Sequence, residues 1–271
     1  MTAADHYRAR VEAVSAQQAR LSAPTADFWG ENAARFRLNP RRQLDRNLQA
    51  IASFVQPGDV VIDVGGGAGR VSLPLALRCR EAVNVEPSAG MGEQFLASAA
   101  EAGIVNARLV ATGWMDANDV IGDVTVVCNV TYFVGEIVPF VERLVATSRR
   151  RVIITVWSVP PPDHHAGLFR VAHNEEKVMV PGHRELLPVL WEMGILPDVR
   201  VLPEPFQFRQ PTPATREEAI SASLDQLNVR DRETASRRIE ANFDSLFGET
   251  PEGYRPAWRP DPREMLITWE T

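Results

Sequence analysis

The sequence predicts a mixed α/β fold in which helices cover both faces of a mostly parallel β-sheet. Short apolar runs alternate with segments of helical periodicity between residues 60 and 157, the pattern of repeated strand–helix–strand units. The first run, Val60–Val64, is apolar except for Asp63, as expected of a strand buried on both faces. Glycines follow it at positions 65, 66, 67 and 69, which predicts a tight turn against a bound nucleotide-like ligand.

The order of the apolar runs predicts seven strands. After Val60–Val64, strands are expected at residues 82–87, 107–111, 124–130, 151–157, 197–208 and 265–269. Helices are expected at residues 5–21, 40–54, 70–77, 90–102, 136–146 and 184–193, and a helical hairpin at residues 215–247. Pro203 and Pro205 interrupt the sixth strand, which is therefore expected to be bent or to lie at a sheet edge.

Length and composition are typical of a globular protein with a sizeable core. The chain has 271 residues, of which 45% are hydrophobic and 24% are charged, which suits one large α/β domain with an insertion. The net charge of −6 disfavours nucleic acid as a partner. We expect a cytoplasmic protein without membrane contact, because the sequence lacks a signal-type start and an apolar run of about 18 residues. Cys79 and Cys128 are interpreted as core residues.

The glycine spacing distinguishes between two kinds of nucleotide ligand. A dinucleotide-binding loop has the pattern G-x-G-x-x-G, but the sixth position counted from Gly65 is Arg70. The spacing present is Asp63-x-Gly65-x-Gly67-x-Gly69. It resembles the first motif of the class I S-adenosylmethionine-dependent methyltransferases, an acidic residue followed by G-x-G-x-G.

This resemblance covers residues 40 to 158 and implies a Rossmann-like, seven-stranded sheet. It also implies S-adenosyl-L-methionine as the methyl donor and S-adenosyl-L-homocysteine as the product. A carboxylate such as that of Asp63 favours the positive charges of the donor's ammonium and sulfonium groups. Glu86 ends the second strand at about the distance from the loop where an acid binds ribose hydroxyls.

The resemblance implies that the segment after the third strand lies along the adenine. Trp114 and Met115 offer apolar faces there, and Asp116 offers an acceptor for the exocyclic amine, although Trp114 would equally suit the core. Asn129 and Tyr132 follow the fourth strand. The complete set of residues expected at the donor is Asp63, Gly65, Gly66, Gly67, Gly69, Arg70, Glu86, Pro87, Trp114, Met115, Asp116, Asn129 and Tyr132.

The sequence gives fewer indications of the methyl acceptor than of the methyl donor. The tetrapeptide Asn-Pro-Pro-Tyr or Asp-Pro-Pro-Tyr of the methyltransferases that act on nucleobases and glutamine is absent after the fourth strand, which disfavours those acceptors. Trp29, Phe36 and Phe133 are candidate acceptor contacts, with ordinary packing as the alternative. The catalytic residue is left unknown: His164, His165 and His173 are candidate general bases, with surface histidines as the alternative. A metal site is not expected, because no cysteine lies near these histidines in the sequence.

The predicted organisation has four parts. Residues 1–56 form an N-terminal helical cover, 57–158 the donor-binding core, 159–182 an insertion near the acceptor, and 183–271 the rest of the sheet with a helical insert at 214–247. The expected function is methyl transfer to an oxygen or nitrogen of a small-molecule acceptor. Alternatives are a methyltransferase acting on tRNA or protein, an NAD-dependent oxidoreductase, and a non-catalytic S-adenosylmethionine-binding protein. The oligomeric state is left open between monomer and homodimer.

Overall fold

A computed structural model describes residues 1–24, 29–30, 33–206, 212–258 and 260–271. The strands within these ranges are β1 (Val60–Val64), β2 (Glu81–Val85), β3 (Ala107–Val110), β4 (Gly122–Cys128), β5 (Ser148–Trp157), β6 (Asp198–Pro205), β7 (Phe247–Thr250), β8 (Gly253–Pro256) and β9 (Arg263–Glu270). The helices are α1 (Ala3–Leu21), α2 (Arg46–Ala52), α3 (Ser72–Ala76), α4 (Ala89–Glu101), α5 (Ile137–Thr147), α6 (Ala166–His173), α7 (His183–Glu192), α8 (Arg216–Gln226), α9 (Arg232–Ala241) and α10 (Phe243–Leu246).

Seven of the strands form one sheet in the order β3-β2-β1-β4-β5-β9-β6. Strands β1 to β5 pair in parallel, and β9 runs antiparallel to both β5 and β6. The predicted seven-stranded, mostly parallel Rossmann-like sheet is therefore confirmed. The strand order reverses between β1 and β4, and ligands of open α/β sheets bind at the carboxyl ends of the strands beside such a reversal.

Helices cover both faces of the sheet, as predicted. Ile62 of β1 shares one apolar cluster with residues of α1, α5 and α7. Its neighbour Val61 shares the opposite cluster with residues of α2, α3 and α4. Successive strand residues point to opposite faces, so β1 is buried from both sides and its apolar run is explained.

The N-terminal region predicted as a helical cover is divided between the two faces. Helix α1 packs beside α5 and α7 through Tyr7, Val11 and Val14, and α2 packs on the other face through Leu48 and Ile51. Helix α2 is shorter than expected because Asp45 caps it: its carboxylate accepts the N–H of Leu48 at 2.8 Å. No described helix is long and apolar enough to cross a membrane.

The two inserts share one small hydrophobic core, which the sequence did not indicate. Leu168 of α6, in the first insert, packs in the same cluster as residues of α8, α9 and α10 and Phe247 of β7. Strands β7 and β8 form a two-stranded antiparallel ribbon there, which begins at Phe247, the last residue of the predicted helical hairpin. The sixth strand ends at Pro205, and residues 207–208 of its predicted range lie outside the described residues.

A buried ion pair fixes the segment between β5 and α7. The Nζ of Lys177 lies 2.6 Å from Oδ1 of Asp163, and the two side chains are 10% and 1% exposed. The other oxygen of Asp163 accepts the N–H of Val180 at 3.1 Å. Burial raises the pKa of Asp163, and the charge of Lys177 opposes that rise.

We therefore expect Lys177→Met to lower the free energy of unfolding by about 3 to 5 kcal/mol, because it leaves a buried carboxylate without its cation. Chemical denaturation at neutral pH measures this loss. Arg237→Met is the control, since its ion pair with Glu233 is exposed and exposed pairs contribute little. Equal effects of the two substitutions would contradict the expectation.

Candidate functional site

The glycine-rich loop between β1 and α3 turns through the left-handed backbone region. Gly65, Gly67 and Gly69 have φ angles of +66°, +55° and +83°, which glycine adopts without steric cost. The N–H of Gly65 donates to the carbonyl of Val85 at 2.8 Å, which ties the loop to the end of β2. Gly65 to Gly67 are partly exposed, so their backbone forms a surface without side chains beside the strand ends.

Asp63 supports this loop from below. Its side chain is 1% exposed, and its Oδ2 accepts the N–H of Ser72 at 3.0 Å. A Cβ atom on Gly66 would lie 2.5 Å from that same oxygen, so the loop rests directly on the carboxylate. The structure thus places Asp63 beneath the glycine surface, whereas the resemblance implied a carboxylate beside the positive charges of the donor.

Asn84 is a supporting residue that the sequence analysis missed. It is the register partner of Asp63 on β2, and its Nδ2 donates to the carbonyl of Gly67 at 2.9 Å. A Cβ atom on Gly66 would lie 2.3 Å from the Asn84 Oδ1. One signal was present in the sequence: Asn84 is a polar residue inside an otherwise apolar strand, where burial demands a hydrogen-bond partner.

Glu86 lies at the tip of β2, beside the loop. Its side chain is 7% exposed; Oε2 accepts the N–H of Gly67 at 2.9 Å and Oε1 accepts the N–H of Ser88 at 2.8 Å. The carboxylate therefore joins the glycine loop to the start of α4, and the following Pro87 is exposed. The two acids thus lie near the ends of neighbouring strands, Glu86 beside the glycine bend and Asp63 beneath it.

Charges around Asp63 act on its protonation. Burial raises the pKa of Asp63 to about 6, while the hydrogen bond from Ser72 and the positive charge of Arg70 lower it. Arg70 is partly buried at the end of the loop, and its carbonyl accepts the guanidinium of Arg42 at 2.9 Å. The loop is thereby held at both of its ends.

The segment after β3 only partly faces solvent. Trp114 is buried in the core on one sheet face, with Arg143 over its ring at 5.1 Å, so its position fits the packing alternative. Met115 and Asp116 are exposed on the same short 3-10 turn. Of the three residues expected along the adenine, these two are accessible.

Asn129 at the end of β4 has a fixed side-chain orientation. The backbone N–H of Trp157 donates to the hydroxyl of Tyr132 at 2.8 Å, so the hydroxyl proton needs an acceptor of its own. Oδ1 of Asn129 is that acceptor, at 2.9 Å, which leaves the amide NH₂ on the other branch. Tyr132 is buried and acts through Asn129, while Phe133 next to it is exposed.

The three candidate histidines each contact a different part of the structure. Nε2 of His164 lies 2.9 Å from the carbonyl of Val159, and Nε2 of His165 lies 2.7 Å from the amide nitrogen of Gln226. His173 packs on the ring of Phe169 at 4.4 Å. Burial lowers the pKa of His164 and of His173. The described residues contain no group of three or more His, Cys, Asp or Glu side chains arranged to hold a metal ion.

Aromatic residues of the N-terminal region lie beside the glycine loop. Trp29 and Phe36 meet edge to face at 5.7 Å and are both exposed. Ala33 between them packs with Ala68 of the loop and Met91 of α4. This segment therefore packs against the glycine loop and α4, whereas α1 and α2 flank the sheet.

Comparisons with known proteins bear on the fold. No protein-family model matches the chain, and no curated protein sequence matches it. Among solved structures, YcgJ from Bacillus subtilis is 14% identical with a TM-score of 0.56, and the match covers 83% of this chain and 97% of YcgJ. BH2331 from Bacillus halodurans C-125 is 13% identical with a TM-score of 0.55, covering 82% of this chain and 95% of BH2331.

A third similar structure is the magnesium protoporphyrin IX methyltransferase ChlM from Synechocystis PCC 6803 with bound S-adenosylhomocysteine. It is 12% identical with a TM-score of 0.51, and the match covers 91% of this chain and 89% of ChlM. Identity this low shows the fold alone. The chain has the class I, Rossmann-like methyltransferase fold, and the fold expected from the glycine motif is confirmed.

The buried carboxyl of Asp63 gives the stability a pH dependence. Its pKa of about 6 lies above the value of about 3.9 in an unfolded chain, so the folded state binds this proton more tightly. The free energy of unfolding should therefore fall as pH rises from about 4 to about 6, by up to about 3 kcal/mol. Above about pH 6 this contribution should stay constant.

Asp63→Asn isolates this effect, because its amide oxygen still accepts the Ser72 N–H. We expect wild type to gain stability relative to Asp63→Asn when the pH is lowered from about 7 to about 4.5. Urea unfolding of both proteins across this range measures the difference. A difference that is the same at every pH would contradict the assignment.

Proposed function

We propose that this protein is an S-adenosylmethionine-dependent methyltransferase that methylates an oxygen or nitrogen of a small molecule. One observation carries the proposal. A bend of glycine backbone without side chains lies over Asp63 and beside Glu86, next to the point where the strand order of a class I methyltransferase fold reverses. Ligands of open α/β sheets bind at that position.

The residues around the bend fit such a donor. The partly exposed backbone of Gly65 to Gly67 would lie along its methionine part, because no Cβ atom blocks a close approach. Glu86 would accept the ribose hydroxyls, since each carboxylate oxygen can accept more than one hydrogen bond. Met115 and Asp116, both exposed, would border the adenine. When bound, the donor supplies an electrophilic methyl group on a sulfonium.

The acceptor would bind at the ends of β4 and β5, next to the donor. Asn129 has its amide group oriented there by Tyr132, and Trp157 and Phe206 form an apolar corner with ring centroids 4.9 Å apart. His164 packs on Phe206 at 4.5 Å. Holding the nucleophile in line and excluding water can account for much of a rate enhancement, so the proposal requires no catalytic base.

Charge supports a small acceptor over a macromolecular one. The net charge of −6 opposes a polyanion such as tRNA. The two inserts, which follow β5 and β6, add one packed cluster, which suits an enclosed pocket. A protein acceptor or a purely donor-binding role predicts the same donor site. Product formation separates these possibilities.

Donor binding tests the assignment of Glu86. Glu86→Ala is expected to weaken the affinity for S-adenosylhomocysteine by about 1 to 3 kcal/mol, the usual scale for hydrogen bonds to a charged group. Isothermal titration calorimetry measures it, and unfolding experiments report separately the loss of the Gly67 and Ser88 contacts. Glu93→Ala, which removes an exposed acid of the following helix α4, is the control. Equal affinities of Glu86→Ala and wild type would exclude the ribose role.

Transfer of a labelled methyl group tests catalysis. Wild type with labelled S-adenosylmethionine should methylate a member of a panel of phenols, carboxylic acids and amines, and Glu86→Ala should do so with a raised KM for the donor. Bulk tRNA and a protein lysate serve as competing acceptors. Label found only in RNA or protein would favour the macromolecular alternative. Donor binding without any labelled product would favour a non-catalytic role.

A further inference from the structure

Strand β6 forms one edge of the seven-stranded sheet, because only β9 pairs with it. The hydrogen bonds of β9 show which residues of β6 point outward. Arg263 accepts the N–H of Ser158 at 2.7 Å and Thr271 donates to Arg150 at 3.2 Å, so the odd-numbered residues of β9 bond to β5. The even-numbered ones therefore bond to β6, and backbone direction alternates along a strand.

The partners of Thr268 and Leu266 on β6 are Asp198 and Arg200. The N–H and C=O groups of Asp198 and Arg200 therefore point inward to β9. Those of Val199 and Val201 point the opposite way, in the plane of the sheet and away from its edge. The side chains of Val199 and Val201 are 40% and 60% exposed. An exposed, β-branched edge strand with outward N–H groups is a template for pairing with another chain.

Strand β6 carries one acidic and one basic side chain, so its charges can complement those of a second copy of the same strand. Asp198 and Arg200 are two residues apart, so they share one face of the strand, and both are exposed. Neither forms a salt bridge with another residue in the described ranges; the guanidinium of Arg200 lies over the ring of Phe54 at 5.7 Å.

A two-fold axis perpendicular to the sheet lies between the two paired strands, and both copies then present the same face. Because side chains alternate along a strand, one residue at the axis must face its own copy. If that residue is Asp198 or Arg200, like charges face each other directly, which is destabilising. If it is Val199, Asp198 lies opposite the partner's Arg200 on one face. On the other face Val199 meets the partner's Val199, and Val201 meets the partner's Pro197.

We propose that a second copy of this chain pairs antiparallel with β6, centred on Val199, and joins the two sheets into one. The outward N–H of Val199 donates to the carbonyl of the partner's Val199. The N–H of Val201 donates to the partner's Pro197, and the same bonds form in reverse. Pairing ends after Val201, where the register of β6 shifts. In this register the partner strand places opposite charges against Asp198 and Arg200 and apolar groups against Val199 and Val201.

Sedimentation equilibrium over a range of protein concentrations tests this proposal. The wild-type chain of 30.1 kDa should associate to twice that mass. Asp198→Arg and Arg200→Asp should each raise the dissociation constant by about tenfold or more, because each sets like charges opposite one another at two symmetric places. The double variant Asp198→Arg with Arg200→Asp restores opposite charges and should restore the dimer.

Two further variants complete the test. Val199→Pro removes an outward N–H while leaving the bonds to β9 in place, so it should give a folded monomer. Val105→Arg, at an exposed apolar residue outside β6, should leave the dimer unchanged. A wild-type monomer at all concentrations would overturn the proposal. So would a dimer that none of the β6 variants weakens, or a double variant that fails to recover association.

Discussion

The site depends on the way Asp63 and Asn84 hold Gly66. The two side chains are register partners on adjacent strands, and their oxygens lie 2.5 Å and 2.3 Å from where a Cβ atom of Gly66 would be. Only glycine fits at position 66, because a Cβ atom would clash with both side chains. The loop can therefore lie directly on the strand ends. This contact places a carboxylate in the interior, with Oδ1 of Asp63 lacking a hydrogen-bond partner in the described structure. Burying such a group is costly, so the contact that fixes the loop geometry lowers the stability of the fold.

The neighbouring strand tips are held by similar polar contacts. The hydroxyl of Tyr132 connects Asn129 after β4 with Trp157 at the end of β5. The hydroxyl of Tyr7 on α1 donates to the carbonyl of Thr131 at 2.6 Å, so a helix on the sheet face also fixes the β4 tip. Burial raises the pKa of Tyr132 and of Tyr7, and both therefore remain neutral hydroxyls. Side chains that border a crevice keep their positions best when a second layer of hydrogen bonds supports them.

The sequence predicted the features that depend on residues close together in the chain. Apolar runs gave the strands, and the spacing from Asp63 to Gly69 gave the loop and, through resemblance, the fold. It did not reveal that Asp63 lies under the loop, because the spacing of residues does not show which side of a bend a side chain occupies. Trp114 was ambiguous for the same reason. The shared core of the two inserts was missed because it joins Leu168 to Phe243 across a long stretch of chain, and periodicity carries no information on such pairing.

The order of the strands lets the proposed dimer and the proposed active site coexist. Strand β6 is separated from β1 by β4, β5 and β9, which at about 4.8 Å per strand places the edge about 20 Å from the glycine loop. Asp198 pairs with Thr268, and Thr268 pairs with Ile153 in the middle of β5, so the paired segment begins below the carboxyl ends of the strands. A second copy bound there would extend the sheet sideways and leave the partly exposed backbone of Gly65 to Gly67 accessible. Association through β6 is therefore expected to stabilise the fold without competing with ligand binding.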